Sequence, residues 1–300
     1  MNEIPLVKIQ KEVHQDHSTR IDIIKNIEKL LKRRLVAFFT TFRPYPAGIA
    51  DVDANMLENI LQKMKLDEGL TLMISSPGGD GLASERIVNV CRAYSSNDFE
   101  ILVPGQAKSA ATMICFGTNK ILMSKTSELG PIDSQITVEE DGHFKVFSVY
   151  DILGSYESLF DRAVKTKGNT DPFLLQLRRY DEREIAKFKR YRDLSEDIAI
   201  KLLKLSMMRK LSKDEILKKM KIFIIPEATK VHGRPIFIDE SKKAGLVVEE
   251  IDVSSPLWEA ILAYSSRLNY LISNKYLKIM ESAENSFSVP IPRELLGEKQ

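Results

Sequence analysis

Between Leu70 and Gln135 the chain alternates apolar runs of strand length with small-residue turns and helical stretches. The runs Leu70–Ser75, Phe99–Val103 and Ile121–Ser124 are apolar almost throughout rather than at every second position. A strand of that kind is buried on both faces, so the pattern predicts a mostly parallel sheet with helices on either side. The intervening stretches Gly81–Tyr94 and Ser109–Phe116 are read as those helices. Upstream, a helix is expected over Thr19–Arg34, where Ile21, Ile24, Ile27, Leu30 and Leu31 recur on one face and basic residues gather at the C-terminal end. A strand Leu35–Phe42, a loop ending in an Asp cap and a helix Ala54–Met64 follow.

Beyond Gln135 the texture changes. Residues 136–148 read as a loop or a hairpin tip, and Val149–Met220 as a charged helical region broken at GNTDP. A second alternating block then begins with IFII as a strand, the loop TKVHGRP, a short helix and the strand LVVEEI. A long amphipathic helix Pro256–Met280 and a tail complete the chain. The expected organisation is a loosely ordered polar leader at 1–17, an α/β core at 18–135, a helical insert at 136–220, and a last βα block with its helix at 221–300.

The 300 residues suffice for such a core, and 43% hydrophobic with 29% charged residues is an ordinary globular balance. A net charge of +2 offers no field for nucleic acid. Cys91 and Cys115 both sit in apolar helical runs, which argues for buried free thiols and a reducing compartment. With no signal-peptide pattern and no apolar run of spanning length, the expectation is a cytoplasmic protein. Nucleotide, dinucleotide, metal and redox motifs find no match, so no cofactor or metal is expected.

The chemistry sits at two turns. In ISSPGGDG the strand passes through Gly78 and Gly79 into a helix, and in GQAKSAATMICFG another strand passes through Ser109 into a helix. Two neighbouring βα units bring such turns to the same sheet edge, where main-chain N–H groups favour negative charge. Ser109 reads either as an ordinary N-cap or as a nucleophile at a helix start, with the Ala110 N–H as an oxyanion donor. The paired glycines read either as a tight turn or as main chain kept bare so that an N–H can approach a substrate.

These segments, with KILMSKTSELGPIDSQ and VHGRPIFIDESKKAGLVVE, resemble the Clp-type serine peptidase fold, and most closely its serine dehydrogenase proteinase branch. The resemblance runs from about Arg20 to Val253, and ELGPID is its most specific segment. It implies a spiral of ββα units of the Clp/crotonase type, a nucleophile at Ser109, and an oxyanion hole lined by Gly78, Gly79 and Ala110. It also implies a homo-oligomer acting on peptides or unfolded protein. The general base is left open. The Clp proteolytic subunit has a histidine after the nucleophile helix, where this chain reads GPID. Signal peptide peptidase A uses a lysine from a later segment; Lys145, Lys165 and Lys167 lie in a comparable stretch, and no motif selects one of them. Lys108 adjoins Ser109 but points elsewhere around the helix start. His232 reads equally as a structural histidine or as the base, and Asp133 either orients that base or caps a turn. A crotonase-like enzyme acting on acyl-CoA and a non-catalytic peptide-binding scaffold are the alternative readings.

Overall fold

The computed structural model describes residues 4–12, 14–43, 47–140 and 143–296. The elements run α1 (Pro5–Lys11), α2 (Ser18–Leu31), β1 (Arg34–Thr40), α3 (Asp51–Leu61), β2 (Leu70–Ser75), α4 (Gly81–Tyr94), β3 (Phe99–Val103), β4 (Gln106–Ala107), α5 (Ala110–Phe116), β5 (Lys120–Met123) and β6 (Glu128–Leu129). A hairpin of β7 (Gln135–Glu140) and β8 (His143–Ser148) leads into α6 (Val149–Lys165), α7 (Asp171–Leu177), α8 (Glu182–Leu205), α9 (Lys213–Lys219), α10 (Lys221–Ile224), α11 (Pro226–Thr229) and α12 (Ile238–Lys243). The chain then forms β9 (Val248–Glu250), α13 (Pro256–Asn274), β10 (Tyr276–Glu281) and β11 (Ser286–Pro290), and a 3-10 turn covers Arg293–Leu296.

Seven strands form the main sheet in the order β11-β10-β1-β2-β3-β5-β9. The five from β1 to β9 are mutually parallel, and β10 and β11 add an antiparallel ribbon at the β1 edge. The chain therefore has the α/β, largely parallel architecture that its strand runs predict.

Side chains alternate across the sheet and fill two cores. Val36, Phe38, Leu72, Ile74, Ile101 and Val103 face α3, α4, α5 and the C-terminal half of α8. Leu35, Ala37, Phe39, Met73 and Leu102 face α2 and α13. Burial on both faces is why the strands read as continuous apolar runs. The hairpin, α6 and the start of α8 hold a smaller core around Val149, Leu153 and Ile185. No helix among the described residues is long and apolar enough to cross a membrane.

Four local expectations are corrected. Residues 5–11 form a helix, not a loose leader: Pro5 occupies the first turn, Ile9 is buried, and Arg267 of α13 bonds Glu12 just beyond it. The first three residues of IFII lie in the helical turn α10, where Phe223 packs edge-on to Phe116 at 5.3 Å between ring centroids. Four apolar residues suit a buried helical turn as well as a strand. The last helix stops at Asn274, and the residues after it pair with β1. In β10 the apolar spacing switches to period two, and the ribbon covers what would otherwise be an open sheet edge. The helix expected from Ala54 starts at Asp51, because the Asp53 carboxylate accepts the Ala50 N–H at 2.8 Å from the third helical position.

Candidate active site

Strands β2 and β3 are parallel neighbours, so the turns that follow them open at the same sheet edge. Main chain fastens the turns to each other. Ser76 N–H donates to Gln106 O at 3.1 Å and Lys108 N–H to Ser76 O at 3.0 Å, while Ser84 Oγ of α4 donates to Ala110 O at 2.8 Å. The glycines permit this closeness. Gly78 has φ +114, and a Cβ there would lie 2.7 Å from Ser109 Cβ and 2.9 Å from Lys108 O. Gly79, at φ +151, runs against Ile49, whose N and O a Cβ would meet at 2.3 Å. Both positions admit only glycine.

Ser109 is not part of the helix it precedes. Its φ of +49 and ψ of −118 leave the regions open to side-chain-bearing residues, a conformation that costs about 1–3 kcal/mol. Its hydroxyl does not cap α5, so the plain N-cap reading fails. A half-buried serine on a strained strand-to-helix turn flanked by small residues has the geometry of a nucleophile elbow.

The main-chain donors at the two corners differ in availability. Gly78 N–H is engaged by Ser76 Oγ at 3.1 Å, and that oxygen also accepts Thr40 Oγ1–H at 2.7 Å. Among the described residues, neither Gly79 N–H nor Ala110 N–H has an acceptor. Of the three groups named from sequence, Gly79 and Ala110 offer donors, and Gly78 supplies the close approach.

The third part comes from two loops distant in sequence. Leu129 and Ile236 exchange main-chain hydrogen bonds of 2.9 and 3.0 Å, and Ile132 N–H donates to Phe223 O at 2.7 Å. This seats the loop after α11 against the loop after β6. His232 Nδ1 and Asp133 Oδ1 then meet at 2.7 Å. Gln135 Nε2 donates to the other carboxylate oxygen at 3.2 Å. Asp133 is 4% exposed, and the His232 side chain remains 27% exposed. Burial alone would push the Asp133 carboxyl up, but the hydrogen bond and charge of His232 outweigh it and hold it below its ordinary value.

Ser109, Gly79, Ala110, Asp133 and His232 line one cleft of about 480 Å³. No hydrogen bond joins Ser109 to the imidazole, as is common in unliganded sites. The far wall was not legible from sequence: Tyr191, Leu194 and Ile198 of α8 face the cleft. Ser195 Oγ on Ile132 O (2.8 Å) and Ser134 Oγ on Tyr191 O (3.2 Å) fasten that helix over it. Tyr191, Leu194 and Ile198 recur at helical spacing and form an apolar stripe on α8, but which element that stripe faces depends on tertiary packing.

The candidate lysines stand elsewhere. Lys165 pairs with Asp161 on the exposed side of α6 at 2.9 Å, and Lys145 is exposed on β8; neither lines the cleft. Lys108 turns away to Glu128 (2.5 Å) and Leu129 O (3.2 Å). His17 bonds Ser282 O at 2.7 Å, and His143 is exposed on β8. Cys91 and Cys115 are free and buried, and burial pushes both thiols up. Among the described residues no cluster of His, Cys, Asp and Glu suits a metal ion.

Residues 8–150 match the family model described as ClpP-like SDH-type serine proteinase. Two curated proteins of Methanocaldococcus jannaschii are similar: uncharacterized protein MJ1495, 29% identical over 125 residues, and uncharacterized protein MJ0137, 33% identical over 82. The aligned stretches cover 39% and 26% of this chain, and only 42% and 28% of the two relatives. A solved structure of the 1510-N membrane-bound stomatin-specific protease, an alanine mutant, aligns with 68% of this chain and 93% of its own at 16% identity and a TM-score of 0.29. The family match ends at α6, short of the Val253 limit read from the motifs, so His232 lies outside it. Both corners and Asp133 lie inside it, and that segment is similar to the ClpP-like SDH-type serine proteinases.

Proposed function

We propose that this chain is a serine peptidase in which Ser109 is the nucleophile, His232 the general base, and Asp133 the group that orients it. Ser109 Oγ attacks a peptide carbonyl while His232 Nε2 takes its proton. The carbonyl oxygen becomes an oxyanion that accepts hydrogen bonds from the Gly79 and Ala110 N–H groups. The imidazolium then protonates the leaving amine, and water repeats the sequence on the acyl-enzyme. Asp133, kept ionised, accepts Nδ1–H, which fixes the tautomer with Nε2 free and stabilises the imidazolium. The observation that carries this reading is the 2.7 Å Asp133–His232 contact on a cleft shared with a serine held at φ +49.

The substrates proposed are peptides or unfolded segments, and the Clp likeness extends the proposal to a homo-oligomer. The two free buried thiols favour a reducing, cytoplasmic setting. The test is fluorophosphonate labelling followed by mass spectrometry, with hydrolysis of an unfolded protein measured in parallel. Wild type should label at Ser109 and hydrolyse, and Ser109→Ala should do neither. Hydrolysis that survives in Ser109→Ala would remove the proposal. Acyl-CoA binding without any labelling of Ser109 would move the site to thioester chemistry of the crotonase kind.

A further inference from the structure

A second cleft, of about 720 Å³, lies where helices end rather than begin. Arg92 stands in the last turn of α4, Leu205 closes α8, Lys219 closes α9, and Gly245 follows α12. Arg92 Nη1 reaches the carbonyl of Gly117 at the end of α5 at 3.0 Å. The cleft is lined by four cations, Arg92, Arg209, Lys210 and Lys219, and by no carboxylate. Among the described residues none of the four has an ion pair. Arg92 is only 8% exposed, and the Lys219 side chain lies over Gly245, where a Cβ would stand 3.6 Å from its Nζ.

Helix carbonyl ends attract cations, so part of this charge is already answered. Each end carries roughly half a negative charge. Five ends offset about two and a half of the four positive charges. The excess of about one and a half is close to the charge of a phosphate monoester at neutral pH, roughly −1.5 to −2. Burial and then the repulsion of Arg209 push the Arg92 guanidinium below its ordinary value, and no acidic group counters them.

We propose that this cleft binds a phosphate-bearing small molecule, with the phosphoryl oxygens held between Arg92 and Arg209 and the lysines Lys210 and Lys219 at the rim. Guanidinium forks suit phosphate oxygens, and hydrogen bonds from charged donors are the strong ones. The site is independent of Ser109: it lies at the opposite ends of α4 and α5 from the cleft those helices open on, about 20 Å away along the 14-residue α4.

The test is isothermal calorimetry on the full chain at low ionic strength, with inorganic phosphate and phenyl phosphate as separate probes and sodium chloride at matched ionic strength as reference. At least one probe should bind with unit stoichiometry. Arg209→Ala, an exposed position, should weaken it about tenfold or more, with the circular dichroism spectrum retained. Tighter binding of phenyl phosphate would support an organic phosphate, and equal binding the free ion. Absence of binding by both probes, or undiminished binding in Arg209→Ala with Lys210→Ala, overturns the site.

Discussion

Replacing Gly78 by alanine tests whether the glycine turn and Ser109 form one unit. The three atoms nearest a Cβ at this position are Ser109 Cβ at 2.7 Å, Lys108 O at 2.9 Å and Ala110 N at 3.2 Å, all from the opposite corner. An ordinary van der Waals contact begins near 3.4 Å, so the serine corner must retreat by about 0.7 Å. Alanine must also adopt φ +114, which costs about 1–3 kcal/mol. Overpacking adds about 1–3 kcal/mol. A misplacement approaching 1 Å at a reacting group costs up to about 10²-fold in rate. Gly78→Ala should therefore lose about 2–6 kcal/mol in urea unfolding, followed by fluorescence of the single tryptophan, Trp258, which is buried in α13. Fluorophosphonate labelling should slow about 10- to 100-fold. Gly105→Ala is the control, since nothing lies within 4 Å of a Cβ there. It should change stability by less than about 0.5 kcal/mol. If Gly78→Ala labels at the wild-type rate and unfolds at the wild-type urea concentration, the two corners do not touch as described.

Asp133→Asn should lower kcat for peptide hydrolysis about 10³- to 10⁴-fold with the circular dichroism spectrum retained, because an amide selects the wrong imidazole tautomer. Since the folded carboxyl is held below its ordinary value, its stabilising contribution is complete above the unfolded value of about 3.9 and is lost as pH falls through the lower folded value. Urea titrations between pH 6 and 2 should show that acid-side loss in wild type and a shallower one in Asp133→Asn. Ser76→Ala removes the acceptor of both Gly78 N–H and Thr40 Oγ1–H, so it should cost about 1–3 kcal/mol and lower kcat more than it raises KM. An unchanged kcat would show that the glycine turn holds its shape without this hydroxyl. Arg20→Met should cost about 3–5 kcal/mol, because it strands Glu281, which is 0% exposed and takes two Arg20 hydrogen bonds of 2.7 Å. A midpoint unchanged in urea would refute that reasoning.

The parts of this fold that were legible in the sequence are those governed by short-range pattern. The apolar runs of β2, β3 and β5 and the helices α4 and α5 follow from periodicity and turn chemistry. Gly78, Gly79 and Ser109 stood out because strand, turn and helix succeed one another within a few residues. The ribbon β10–β11 did not stand out, because its stabilisation comes from β1, far away in the chain. The pairing of Asp133 with His232 was open for the same reason: it depends on the Leu129–Ile236 hydrogen bonds, which no local pattern announces. The role of α8 as a cleft wall was hidden because its apolar stripe tells that it packs, not on what.

The loop carrying His232 is synthesised after both corners and after Asp133, and it seats on β6 through the Leu129–Ile236 hydrogen bonds. A chain still on the ribosome presents a hydroxyl with no proton acceptor beside it. On the proposed chemistry, such a half-made molecule is harmless to its neighbours and to itself. Cutting power then arrives only when the His232 loop has docked.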